Sequence, residues 1–237
     1  MSDKLFENRM LDICHRGEYG RGASDFLGMG DISLLSTLHL PVPYTLWGGY
    51  EGAERCVALF GETPSPVTCM RIFPKDKKFA RELSHRDVLG SVLGLGIDRR
   101  LVGDILVFGK EAYMFCLISI APFIAENLAS VGKVTVCCEI TDTLPDEALP
   151  KPEEKTVVTA SLRVDAVICA VYDISRADAK ELAEGERVYV NGRIVQSPSF
   201  SLKEGDIVSV RGMGRFRYIE EAGETKKGKI RIFVAVY

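Results

Sequence analysis

No stretch of this 237-residue chain offers the roughly 18 consecutive apolar residues that a membrane span needs. The longest candidate, Tyr113 to Ala125, is short and contains Pro122. The first ten residues, MSDKLFENRM, lack a basic segment followed by an apolar one, so no secretory signal is expected. Seven cysteines, at positions 14, 56, 69, 116, 137, 138 and 169, include no CxxC pair, so a zinc knuckle is excluded. Scattered in apolar surroundings, they suit a reducing compartment, and a cytoplasmic protein is expected. There are three histidines, none with a metal-spaced partner, and no cofactor is expected. GSVLGLG (90–96) lacks the Lys-Ser/Thr of a phosphate-binding loop, and FLGMG (26–30) lacks the strand that precedes a dinucleotide-binding turn. No Ser–His–Asp or Cys–His set announces itself, and repeats and low-complexity tracts are missing.

What is present suits folded domains. Hydrophobic residues make up 46% and charged residues 27%, enough for packed cores at this length. The net charge of −3 does not advertise a polyanion as partner, but its distribution is uneven. Residues 1–157 carry 17 basic and 22 acidic side chains; residues 158–237 carry 13 and 11. Between Arg211 and Arg231 seven basic residues face three acidic ones, and it is local potential that attracts an anionic polymer.

Along the chain, Leu5–His15 reads as a helix, and a glycine-rich run follows from Gly17 to Gly30. Leu38–Leu46, with Pro41 and Pro43, reads as extended or loop. Cys56–Phe60 and Val67–Phe73 read as strands joined by a Gly/Pro turn. Ser84 with Asp87 caps a helix carrying Val88, Leu89, Val92 and Leu93, which Gly94 and Gly96 end. A turn at Asp98–Leu101 leads to paired strands, Gly103–Phe108 and Ala112–Ile118. A helix over Ala121–Val131 and a strand over Val134–Ile140 complete a small α/β sandwich. TDTLPDEALPKPEEK (141–155), with three prolines and many charges, reads as a linker. Beyond it come a helix over Ser161–Val171, a second helix capped by Ser175, and a strand over Arg187–Val190. The Asn191–Gly192 hairpin, a Gly205–Asp206 turn and strands flanking GETKKGK (223–229) follow.

This last region carries a specific pattern: Leu162-Arg163-Val164-Asp165, Ser175-Arg176, Ala179, Val188-Tyr189-Val190-Asn191-Gly192 and Gly205-Asp206. It resembles the S4 RNA-binding domain over about 50 residues. The resemblance implies contacts from Arg163, Ser175, Arg176, Lys180, Arg187 and Asn191 to structured RNA. Physical chemistry agrees, since guanidinium forks and helix starts suit phosphates, and RNA duplexes are recognised by backbone shape. The bland reading is that Arg163 pairs with Asp165 and Ser175 only caps. One departure concerns the residue before Arg187, where the family usually has glycine and this chain has Glu186. The basic stretch after the S4 pattern is expected to extend the surface, with Arg211, Arg215, Arg217, Lys226 and Lys227 along one edge.

WGGYEGAER (47–55), HRDVLGSVLGLGIDRRLVGDILV (85–107) and GRFRYIEEAGETKKGKIRI (214–232) extend the likeness, and the chain resembles the YlmH family of bacterial S4 proteins over nearly its whole length. That implies an α+β, multi-domain fold: an N-terminal α/β region (1–75), an RRM-like α/β sandwich (76–143), a linker (144–157) and an S4 (alpha-L) domain (158–237). It also implies ribosomal or transfer RNA as partner, on the large ribosomal subunit, in rescue of stalled translation; neither membrane nor DNA is expected. His85, Arg86, Arg99 and Arg100 are candidates for a second RNA surface. An RNA-modifying enzyme carrying an S4 domain, of pseudouridine synthase or methyltransferase type, is the alternative. It is disfavoured because Arg163-Val164-Asp165 belongs to the S4 helix and cannot double as a catalytic Asp motif. An adaptor linked to cell division is the other.

Overall fold

The computed structural model describes residues 3–76, 78 and 81–237. The chain divides into two compact units. One runs to Asp31 and resumes over Thr37–Pro150; the other comprises Ile32–Ser36 and Lys151–Tyr237.

In the first unit, α1 (Asp3–Gly17) buries Phe6, Met10, Ile13 and Cys14, one helical stripe. After β1 (Gly22–Ala23) and α2 (Met29–Leu35), which from Ile32 onward belongs to the second unit, come β2 (Tyr44–Trp47) and β3 (Val57–Phe60). These three strands form an antiparallel sheet in the order β1-β3-β2. The next strand, β4 (Val67–Pro74), does not pair with β3, although the sequence suggests two strands joined by a turn. Pro64 and Pro66 in the connection have no N–H to give a ladder, and Gly61 N–H bonds instead to Pro43 O.

β4 is instead the central strand of a second sheet, so the sandwich begins near Val67 rather than at 76. It is completed by α3 (His85–Gly94), a 3-10 turn (Arg99–Leu101), β5 (Val102–Phe108), β6 (Glu111–Leu117), α4 (Ala121–Asn127), β7 (Ser130–Val131) and β8 (Val134–Thr141). The order is β5-β6-β4-β8-β7, a split β-α-β-β-α-β arrangement. α4 stops four residues before the expected Val131, because Ser130 and Val131 pair with β8 around Gly132, which has φ +56. One sheet face, with Met70, Ile72, Met114 and Cys116, packs under Val88 and Val92 of α3 and Ile124 of α4. The opposite face, with Cys69, Tyr113, Phe115 and Leu117, is covered by Phe26, Tyr50, Leu59 and Ala148.

In the second unit, β9 (Glu153–Thr159) precedes α5 (Val164–Tyr172) and α6 (Arg176–Glu184). β10 (Val188–Val190), β11 (Arg193–Ile194), β12 (Ile207–Val210), β13 (Gly214–Glu224) and β14 (Ile230–Val236) follow. The sheet order is β11-β10-β12-β13-β14-β9. The stretch expected to be a linker thus divides. Leu144, Ala148 and Leu149 pack in the first unit, while Glu153–Thr159 pairs residue by residue with β14. Composition hides this, because an edge strand tolerates charge on its outer face. Val164, Val167, Ile168 and Val171 of α5 and Ala179, Leu182 and Ala183 of α6 close over Val188, Val208, Phe216, Tyr218, Ile232 and Val234.

The hairpin signal is met, with Asn191 at φ 51 and Gly192 at φ 79. Glu186 sits at φ 57. The departure from the family pattern therefore leaves the left-handed turn in place and puts a side chain where glycine is relaxed.

Candidate nucleic-acid interface

Two helices of nine residues each carry the site. Arg163 is the N-cap residue of α5, with extended φ and ψ and no side-chain cap bond. Its guanidinium turns to Asp165, with Nε to Oδ1 and Nη2 to Oδ2 both at 3.1 Å. Arg176, opening α6, reaches the same carboxylate with Nε at 3.3 Å from Oδ2. The Asp165 side chain is 4% exposed, whereas those of Arg163 and Arg176 are 43% and 53% exposed. One buried acid thus orients two cations whose outer N–H groups face solvent. The pairing of Arg163 with Asp165 and its exposure to solvent are not alternatives here.

Burial pushes the Asp165 carboxyl up, but the hydrogen bonds from Arg163 and Arg176 and their charges outweigh it and hold the group below the ordinary carboxylate range. A depressed folded-state value means stability that is complete above the unfolded value, about 3.9, and lost as pH falls through the folded one. Calorimetric unfolding of the full chain from pH 6 downward is expected to show the second unit's transition moving to lower temperature only once pH drops below about 4. In Asp165→Asn that transition is already lower at pH 6 and nearly flat with pH. A wild-type transition that ignores acid would remove the carboxylate from this role.

The two helix starts differ as anion sites. In α5 the N–H of Val164 donates to Phe200 O (2.8 Å), that of Asp165 to Pro198 O (3.2 Å) and that of Ala166 to Asp165 Oδ1 (2.8 Å). The Pro198–Leu202 crossover therefore occupies the positions a phosphate would take. In α6 Ser175 is the N-cap: its Oγ accepts from Asp178 N–H (3.1 Å) and lies 2.7 Å from Asp178 Oδ2. The N–H groups of Arg176 and Ala177 are the orphan donors of that start. Lys180 is exposed and 3.5 Å from Glu184, a pair worth little in water.

The remaining expected residues do not line one edge. Arg187 is exposed, and its Nη2 donates to Arg211 O (3.2 Å), so these two share the end of the sheet where β12 turns into β13. Arg215, on the same strand face as Arg217, is only 9% exposed, with its guanidinium 4.5 Å from the centre of the Tyr237 ring. Only Arg217 of the pair is presented to solvent. Lys226 and Lys227 stand exposed in the turn at the far end of β13, about 30 Å from Arg215 at a strand rise of 3.3 Å per residue. Local charge balance is blind to strand length, which is why one stretch was expected to form one surface. Asn191 holds the hairpin to the Gly205–Asp206 turn: its Nδ2 donates to Asp206 Oδ1 (2.8 Å) and its Oδ1 accepts from Ile207 N–H (2.9 Å).

The first unit's candidates also separate. His85 and Arg86 are exposed in the first turn of α3. Arg100 forks onto Asp98, whose carboxyl is pulled down to about 2 by that pairing. Arg99 turns inward onto the carbonyls of Val102 and Gly103. Burial, with Arg55 close by, lowers its pKa to about 10.

Among the described residues the RRM-like sheet offers no open stacking platform on its two central strands, because Tyr50 stacks on Phe115 at 5.2 Å. On the rest of that face Arg71 is paired with Glu111 and Glu139 and lies 4.7 Å from the Phe73 ring centre. WGGYEGAER builds the cover. Asp104 accepts from Tyr50 Oη and from the N–H groups of Glu54 and Arg55, while the Arg55 guanidinium donates to Phe26 O, Arg99 O and Val102 O. Among the described residues no cluster of three or more His, Cys, Asp or Glu is placed to hold a metal. The buried Cys69 and Cys116 thiols are pushed up to about 12 by desolvation, which keeps them unreactive.

Comparison with known proteins agrees with these two units. Residues 69–144 match the family profile described as "Putative RNA-binding domain in YlmH", and residues 162–208 match the S4 domain. Ribosome-associated protein quality control protein P2 of Bacillus subtilis is 32% identical over 226 residues, 91% of this chain and 87% of that protein. Small ribosomal subunit protein uS4 of Neisseria meningitidis is 42% identical over 50 residues, 21% of this chain and 24% of its own length. The solved cell division protein ylmH from Streptococcus pneumoniae superposes with a TM-score of 0.47 at 21% identity, covering 60% of this chain and 92% of that one. With an S4 domain of the expected motif order and a relative of that identity along nearly its whole length, this chain belongs to the YlmH family of S4-domain RNA-binding proteins.

Proposed function

We propose that this protein binds ribosomal or transfer RNA on the large ribosomal subunit through its second unit, and that it acts there in rescue of stalled translation. The observation that carries this reading is the pair of half-exposed arginines, Arg163 and Arg176, oriented by one buried carboxylate beside the open start of α6. Fixed guanidinium forks grip phosphate oxygens without reading bases, which suits a folded RNA recognised by shape. The name of the Bacillus subtilis relative supports a ribosomal setting. The role is binding rather than catalysis: the acid of the S4 motif is consumed in orienting cations, and GSVLGLG is helix α3 and its end rather than a phosphate loop. An adaptor role is the second reading, favoured by the exposed Leu46 and Trp47 on edge strand β2.

Sedimentation with separated ribosomal subunits at two salt concentrations tests the proposal. The full chain is expected to travel with the large subunit at low salt and to be released at higher salt as counterions compete. A fragment beginning at Lys151 should co-sediment likewise. One beginning at Ser161 should fail, because β14 loses its partner β9. Co-sedimentation with the small subunit alone, or with neither, would sink the proposal.

A further inference from the structure

Beside the arginine pair the second unit carries a cleft of about 730 Å³ between the Asn191–Gly192 hairpin and the Pro198–Leu202 crossover. That size falls in the roughly 300–1,000 Å³ range of small-ligand sites. Phe200 and Ile194 line it, and both remain unusually open for apolar side chains, at 40% and 37% exposed. The Phe200 backbone is fixed: its N–H donates to Ser197 O (3.0 Å) and its carbonyl accepts from Val164 N–H. The main chain that carries the ring is therefore held at the start of α5, one residue from the Arg163–Ser201 bridge. Two more cations, Arg193 and Lys203, line the same cleft and are exposed. Among the described residues neither side chain has an ion-pair partner. The one carboxylate in the lining, Asp206, is occupied, accepting from Asn191 Nδ2 and from Lys203 N–H, both at 2.8 Å.

We infer that this cleft receives a single unpaired base of the bound RNA, stacked on Phe200, with its flanking phosphates on Arg193 and Lys203. This rests on the RNA-binding reading above and adds a preference to it. An exposed ring on a fixed backbone and an aliphatic wall suit a flat π-face, which every base has, while the cations suit the backbone on either side. A base inside a duplex has first to be unstacked and flipped, so a base that is already unpaired enters at lower cost. Phe200 O accepts from Val164 N–H and Ser201 bridges to Arg163, so the Phe200 wall of the cleft adjoins the segment that carries Arg163. An acidic peptide would satisfy the cations but leave Phe200 and Ile194 without a matching surface.

The test uses the full chain and two RNA hairpins of equal length, one fully paired in its stem and one with a single bulged adenosine. Wild type is expected to bind the bulged hairpin about tenfold more tightly. Phe200→Ala should bring the two affinities together while leaving the paired hairpin's affinity unchanged, and Phe200→Tyr should keep the preference. Circular dichroism and retained binding of the paired hairpin show that Phe200→Ala is folded. Equal binding of both RNAs by wild type, or an equal loss on both in Phe200→Ala, would overturn the cleft while sparing the arginine site. Binding of neither RNA by wild type would overturn both readings. If Phe200→Ala keeps its preference but co-sediments less with ribosomal subunits, the occupant is a protein surface and the nucleotide assignment fails.

Discussion

Replacing both Arg163 and Arg176 with Gln, together with Asp165→Asn, is expected to weaken binding of structured RNA about a hundredfold and to flatten the salt dependence by about two units of slope. Each arginine represents about one phosphate contact, worth nearly one unit of slope, and a hydrogen bond to a charged group contributes roughly 1.5–3 kcal/mol. The third substitution is needed because Asp165 is 4% exposed. Removing both cations alone would strand a buried carboxylate, a loss of about 3–5 kcal/mol that would confuse unfolding with lost contact. With Asn at 165 no buried charge remains, and the unit should melt within a few degrees of wild type. The loss should be uniform across RNA sequences, because phosphate contacts position without specifying. Filter binding at four salt concentrations reads both quantities. A triple variant that is folded and binds with wild-type affinity and slope would place the RNA elsewhere.

Gly49→Ala is expected to unfold the first unit's core while leaving the second unit intact. A Cβ at Gly49 would lie 2.1 Å from Cδ1 of Phe115, and the residue has φ +104. Phe115 cannot move aside, because it is packed in the central strand β6 with Tyr50 stacked on it. Overpacking of about 1–3 kcal/mol adds to backbone strain of roughly 1–2 kcal/mol, so a loss of about 2–5 kcal/mol follows. That is a large fraction of a domain's usual stability. Trp47, the chain's single tryptophan, reports on this unit alone. Its fluorescence transition in urea should shift strongly in Gly49→Ala, while RNA binding by the second unit persists at low urea. Gly109→Ala is the control: φ is +59, but nothing lies within 4 Å of the added carbon, so only strain of about 1–2 kcal/mol applies. Equal effects from the two substitutions would show that the Phe115 contact does not matter.

Much of the second unit was legible from local chemistry. Asn191–Gly192 requires two positive φ values and has them; Ser175 with Asp178 announces a helix start and caps it. Such signals act within four residues, so the sequence alone determined the two helices, the hairpin and the order of S4 elements, and with them the family. It also made Arg163 and Arg176 candidates. Tertiary structure decided what no local signal carries: that both reach one carboxylate, and that the Phe200 and Pro198 carbonyls close the start of α5. It buried Arg215 under Tyr237 and set Lys226 and Lys227 at the opposite end of a long strand. It drew Glu153–Thr159 out of an apparent linker and laid Tyr50 over the face of the RRM-like sheet. These outcomes depend on residues tens of positions apart, where pairing is chosen by shape and shared burial rather than by neighbouring side chains. Composition and period therefore name the elements, and packing decides which of their charges meet solvent.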